Sequence, residues 1–117
     1  MSIDRDMRSG STTILVLALL QEEPMYGYQI VKELARRSEG YFQFKEGTLY
    51  PALHRLERDG LIRGEWRAEA GGPQRKYYVL TDAGRAELAD SAEAWRSFSL
   101  NILKLLPGGD ATPESAT

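Results

Sequence analysis

The sequence predicts a mainly α fold with one small β-hairpin: three helices, the hairpin, and a long final helix. Three observations carry that prediction. Apolar residues recur at helical spacing in three stretches ahead of Gly60. Gly71-Gly72-Pro73 separates two runs rich in Trp and Tyr, as a hairpin requires. Apolar positions seven residues apart then run through the end of the chain.

The first helix is expected from Ser11 to Gln21, because Ile14 to Leu20 is an unbroken apolar run and Pro24 disfavours helical backbone before it. The polar Ser9-Gly10-Ser11-Thr12-Thr13 blurs its start. A second helix fits Met25 to Arg37, with Ile30, Val31 and Leu34 on one face and Lys32, Arg36 and Arg37 elsewhere, closed by Gly40. Tyr41 to Phe44 alternates and reads as a short edge strand. A third helix runs from Glu46 to Asp59 and stops at Gly60, which suits the left-handed C′ position. Proline costs least in a first turn, so Pro51 places the start of that helix close to Gly47 or Thr48.

Leu61 to Ala68 and Arg75 to Leu80 then form a hairpin with a Gly-rich, flexible tip. Thr81 is a good N-cap with Asp82 well placed against the helix dipole, and the last helix extends to Leu106 before Pro107-Gly108-Gly109 breaks it. From Asp110 onward no apolar residue larger than Ala occurs, which predicts disorder. The expected organisation is a domain over 8–80, a C-terminal dimerisation helix over 81–106 and a tail over 107–117.

Composition narrows the function. With 117 residues, 42% hydrophobic and 27% charged, the chain has room for one ordinary soluble domain. It contains no Cys and a single histidine, His54, so disulfides, thiolate metal sites and an all-histidine zinc site within one chain are excluded. No cofactor and no metal are expected. The apolar run at Ile14 to Leu20 is too short to span a bilayer, Asp4 and Asp6 dilute the charge before it, and Gln21-Glu22-Glu23 stands where a cleavage site would belong. No membrane partner is expected, and the expected location is cytoplasmic. The net charge is −2, but residues 1–81 hold 12 Lys/Arg against 11 Asp/Glu while residues 82–117 hold 3 against 6. Local faces therefore matter more than the average.

Three helices followed by a hairpin is the layout of a winged helix-turn-helix, whose third helix enters the major groove while the hairpin touches flanking backbone. At 100° per residue, Leu49, Ala52, Leu53 and Leu56 share one side of the third helix and must face the core. Gly47, Pro51, His54, Arg55 and Arg58 then point away, with Thr48 and Tyr50 on the flanks. A solvated helix face is the bland reading of such a pattern. Arg67, Arg75 and Lys76 beside the hairpin tip supply a second basic cluster where a wing would meet phosphates, and the two together favour double-stranded DNA as the partner. A winged helix that docks an acidic protein is the competing reading. An enzyme is not expected, since no nucleophile, base and orienting group can be assembled.

Leu88, Trp95 and Ile102 are seven apart, with Ala92, Phe98 and Leu105 in the neighbouring row. A helix of roughly 25 residues is about 38 Å long, which overhangs a core nearer 25 to 30 Å across by the usual size scaling, each of these being about what the geometry allows. The simplest cover is the same helix of a second copy, giving a homodimer and a pseudo-palindromic operator. Trp95 then has two readings: plain dimer core, or one of two rings flanking a pocket for a small planar effector, completed by Phe98 and by Ile14 and Met7 of the first helix.

The stretches Met25-Tyr26-Gly27-Tyr28-Gln29-Ile30, Gly47 to Glu57 (Gly-Thr-Leu-Tyr-Pro-Ala-Leu-His-Arg-Leu-Glu), Asp59-Gly60-Leu61-Ile62 and Gly71 to Thr81 strongly resemble the PadR family of bacterial repressors. The resemblance implies a winged-helix domain with a C-terminal dimerisation helix, operator binding as a dimer and derepression by a ligand. By position it implies that Tyr50, Pro51 and His54 approach DNA from the third helix, and Arg75 and Lys76 from the wing. The single last helix is similar to the short, partly multidrug-sensing subclass, in which a tryptophan matching Trp95, between Ala94 and Arg96, lines a pore between subunits.

Overall fold

The computed structural model describes Ile3, Met7 and residues 10–108. Positions 8 and 9 of the expected domain, and the expected tail from Gly109 onward, lie outside the described residues. The elements are α1 (Thr12–Glu22), β1 (Met25–Tyr26), α2 (Gly27–Arg37), α3 (Glu46–Arg58), β2 (Ile62–Ala68), β3 (Gln74–Leu80) and α4 (Asp82–Leu105).

The apolar run of α1 fills the centre: Val16, Leu17, Leu19 and Leu20 are buried against Ile30 and Leu34 of α2, Leu49, Leu53 and Leu56 of α3, and Ile62, Tyr78 and Leu80 of the sheet. Arg37 holds the outer ends of α1 and α2 together, donating from both Nη atoms to Glu22 at 2.7 Å and from Nε to Glu33 at 2.9 Å.

Three local expectations are corrected. Met25 and Tyr26 do not open α2. They pair antiparallel with Tyr78 and Tyr77, which makes the hairpin a three-stranded sheet in the order β1-β3-β2. Tyr41 to Phe44 is not a strand. Its alternation comes from Phe42 and Phe44, which turn towards the core and stack with ring centroids 6.1 Å apart, with no strand beside them. Pro51 sits one or two residues deeper than a start at Gly47 or Thr48 would place it, because α3 begins at Glu46. Its missing N–H leaves the carbonyl of Gly47 without a helical donor, and that glycine is exposed, so water can satisfy it.

The helix ends follow from named residues. Leu61 N–H donates to Leu56 O at 2.9 Å and Gly60 N–H to Glu57 O at 3.0 Å, a Schellman closure with Gly60 at φ 78°. The end of α2 is closed the same way, but Glu39 takes the left-handed position at φ 52° and Gly40 follows at φ 88°. Thr81 caps α4, accepting from Gly84 N–H at 3.0 Å while donating to Gly60 O at 2.7 Å. These bonds tie the start of α4 to the turn after α3.

Candidate nucleic-acid interface

The residues of α3 divide as their spacing dictates. Leu49, Ala52, Leu53 and Leu56 are buried, whereas Thr48, Pro51, His54, Arg55 and Arg58 are exposed. Tyr50 is half-buried. Its ring lies against Gly27 so closely that a β-carbon there would come within 2.6 Å of the hydroxyl. Burial raises the Tyr50 phenol above its ordinary pKa, with the Glu46 carboxylate adding to the effect.

Between α3, the start of α2 and the wing runs a groove of about 570 Å³, bordered by Glu46, Tyr50 and His54 on one wall and by Trp66, Arg75 and Lys76 on the other. The register of the sheet explains these positions. Ile62, Gly64 and Trp66 of β2 face Leu80, Tyr78 and Lys76 of β3, and successive side chains alternate between faces. Lys76 therefore projects beneath α3, and Arg75 projects the opposite way, at the edge beside β1. The Arg75 guanidinium lies over the Tyr26 ring at 4.6 Å, which brings it back to the rim of the groove.

The cations differ in what already holds them. Arg67 donates to Glu65 at 2.8 Å and covers the Tyr77 ring at 5.1 Å, and Arg63 donates to the same carboxylate at 2.6 Å. Arg63 and then Arg67 hold the Glu65 carboxyl below its ordinary pKa. Lys76 donates to Glu57 of α3 at 3.0 Å. Arg58 lies 3.8 Å from Asp59. Among the described residues no carboxylate lies within ion-pair distance of Arg55 or Arg75. Of the cations expected on α3 and the wing, these two carry the charge most available to an incoming anion.

Trp66, Tyr28 and Glu46 at this groove were not singled out from the sequence. Trp66 is 64% exposed, and a large apolar side chain so placed on β2 beside Lys76 is the clearest feature missed. Its signal was the period-2 alternation with Ile62 and Gly64, which puts it on the α3 side of the wing.

On α4 the expected stripe divides. Leu88 is buried in the chain's own core and Ala92 is half-buried, whereas Trp95, Phe98, Ile102 and Leu105 are exposed, Leu105 at 84%. Trp95 and Phe98 meet edge to face at 6.2 Å and, with Ala94, border a shallow depression of about 210 Å³. Ile14 packs against the core cluster and does not border that depression within one chain. Every residue of α4 from Glu93 to Leu105 is exposed, so the far half of α4 is left uncovered by the body that its first turns pack on.

Comparisons with known proteins agree with this arrangement. Residues 16–90 match the Transcriptional regulator PadR-like family. Transcriptional regulator Rv3488 of Mycobacterium tuberculosis is 32% identical over 99 residues, covering 85% of this chain and 89% of that protein. The crystal structure of a PadR-like transcriptional regulator from Bacillus cereus superposes with a TM-score of 0.78 at 33% identity, over 88% of this chain and 98% of that one. Bacillus subtilis PadR, solved in complex with operator DNA, superposes with a TM-score of 0.62 at 28% identity over 68% of this chain and 46% of that one.

Proposed function

Since the chain belongs to the PadR-like family of transcriptional regulators, we propose that it is a cytoplasmic repressor. In this reading it binds a pseudo-palindromic operator as a homodimer and is released by a small aromatic or hydrophobic effector. Proteins of this family regulate transcription and are not enzymes.

The observation that carries the DNA reading is the outer face of α3. Pro51, His54, Arg55 and Arg58 are exposed, next to a wing whose Arg75 has no carboxylate partner among the described residues. Such a face is complementary to a phosphate-lined groove, with Arg55 and Arg58 able to donate in pairs to phosphate or guanine and Thr48, Tyr50, Pro51 and His54 at the leading half of the helix. Arg75 and Arg67 would meet flanking backbone from the wing. The Bacillus subtilis relative captured on operator DNA supports the same mode.

Dimerisation is proposed from the uncovered end of α4. Trp95, Phe98, Ile102 and Leu105 form an apolar face that a monomer would leave in water, and an antiparallel second copy would cover it without any new chemistry. The first turns, through Leu88 and Ala92, would anchor each helix to its own domain. Between the two copies the Trp95 and Phe98 depression would become a closed slot lined by rings, able to stack a planar apolar molecule, with Ile14 behind it. No helix among the described residues is long and apolar enough to cross a membrane.

Selection from a pool of random duplexes tests the central part. Enrichment of one inverted repeat, with half-sites one or two helical turns apart, is the expected result. A pool that stays unenriched would count against sequence-specific DNA binding and leave the docking of an acidic protein as the better account.

A further inference from the structure

Lys76 borders the groove of the proposed DNA interface, yet its charge is already engaged within the chain. Its Nζ donates to Glu57 Oε1 at 3.0 Å and sits 5.5 Å from the Tyr78 ring centroid. The pair is semi-enclosed, with side chains 29% and 33% exposed. Glu57 belongs to α3 and Lys76 to β3, so this bond spans the two elements proposed to touch DNA. Its path depends on a third residue. A β-carbon on Gly64 would collide with Lys76 Cε and approach Glu57 Oε2 to 3.0 Å. Gly64 lies on β2 opposite Tyr78, on the face that looks at α3. The missing side chain leaves the space through which the lysine stem passes over that face of the sheet to reach Glu57.

We propose that Gly64, Lys76 and Glu57 form a latch that fixes the wing relative to α3, making Lys76 a positioning residue and not a phosphate ligand. The proposal rests on the DNA reading above, but assigns the lysine a different task within it. Among the described residues, the Lys76–Glu57 bond is the side-chain hydrogen bond that ties the hairpin strands to α3, the two elements proposed to contact DNA. In a free wing, phosphate contacts could form in many registers, on any sequence. A wing held at one distance from α3 permits its phosphate contacts only when α3 is seated in its own register, which is how a sequence-blind contact sharpens discrimination. Breaking the latch also exposes a lysine charge that Glu57 otherwise neutralises.

The test compares the parent protein with Lys76→Met, which keeps the stem, Glu57→Gln, and the exchanged pair Glu57→Lys with Lys76→Glu. Each is titrated by fluorescence anisotropy against its selected site and a scrambled duplex over a range of salt, and amide hydrogen exchange of β2 and β3 is followed in the free protein. A latch predicts that Lys76→Met leaves the salt slope unchanged and lowers the ratio of specific to scrambled affinity. Glu57→Gln should steepen the slope by about 0.9 as the lysine becomes available. Both should speed exchange at the wing roughly two- to fivefold, the range expected for loss of one partly exposed pair, and the exchanged pair should recover much of it.

A Lys76→Met protein whose slope is shallower by about 0.9, with discrimination intact, would overturn the latch and make the lysine a phosphate ligand. Unchanged wing exchange in both single variants would overturn it as well. Should the parent bind no duplex at all, the DNA reading fails, and the exchange measurements alone still decide whether the latch exists.

Discussion

The guanidinium of Arg75 lies 4.6 Å from the centre of the Tyr26 ring, joining the wing to the residue that precedes α2. Tyr26 in turn meets Tyr77 edge to face at 5.3 Å, and the Tyr77 hydroxyl donates to Glu69 at 2.8 Å near the hairpin tip. A cation over an aromatic face keeps its charge and its donors while losing freedom of movement. Arg75 is thus pre-oriented at the rim of the groove without being neutralised.

Replacing Arg75 by Ala should weaken binding to every duplex alike and reduce the slope of log affinity against log salt by about 0.9, one phosphate contact. Anisotropy titrations with specific and scrambled duplexes measure both. A slope equal to that of the parent would remove Arg75 from the phosphate contacts.

Gly84 allows α4 to begin where it does. A β-carbon at this position would run into the carbonyl oxygen of Leu61 and lie 2.6 Å from Leu80 Cδ1, and the carbonyl belongs to backbone that already accepts from Thr81 N–H at 3.1 Å. Gly84→Ala should therefore destabilise the fold by about 3 kcal/mol, the upper part of the range for overpacking. Urea denaturation checks this, and a loss of less than about 1 kcal/mol would mean that α4 can shift freely on the sheet.

The clamp between α1 and α2 should make stability depend on pH. Hydrogen bonds from Arg36 and then Arg37 hold the Glu33 carboxyl at about 2, below its ordinary 4.5. A carboxyl lowered in the folded state stabilises it above the unfolded value, and that contribution is lost as pH falls from 4.5 through about 2. Glu33→Gln should lose less stability than the parent between about pH 6 and about pH 3, read as the shift in denaturation midpoint. Equal shifts in the two proteins would show that the ion pairs are too well solvated to matter.

An Asp in place of Ile102 would set a charge on the uncovered apolar face of α4, far from the core that Leu88 completes. Sedimentation should show the variant as single chains with unchanged helix content, while the parent sediments as a pair. Trp95→Ala, in a Trp66→Phe background that leaves one emitting ring, separates packing from ligand binding. If the pocket reading holds, Trp95 emission in the Trp66→Phe protein falls on adding planar aromatics, and a dimeric Trp95→Ala protein no longer binds them.

Much of the fold was legible because α2 and α3 state their burial through 3.6-residue spacing, and because Gly60 and Thr81 mark helix ends chemically. The two-residue β1 was not, since Met25 and Tyr26 are too few to show a period and owe their conformation to Tyr77 and Tyr78, distant in sequence. The α3 face was readable for the same reason as its core side. The wing was harder. Arg75 and Lys76 are adjacent in sequence and read as one basic cluster, but strand alternation sends them to opposite faces, where one meets Tyr26 and the other Glu57. Gly64 carried no signal of its own in the sequence, because the stem that fills the space beside it comes from another strand. The α4 stripe was visible as a period, yet nothing in a period says that Leu88 is covered by its own chain and Leu105 is not.

The most direct measurement is sedimentation of the protein with its selected duplex, repeated across a range of salt concentrations. Two chains per site, with log affinity falling by about 4 or more for each decade of salt, is the result expected from Arg55, Arg58 and Arg75 of both chains facing phosphates, allowing that not every contact counts in full. One chain per site, or an affinity indifferent to salt, would contradict a dimeric winged helix held on DNA by these cations.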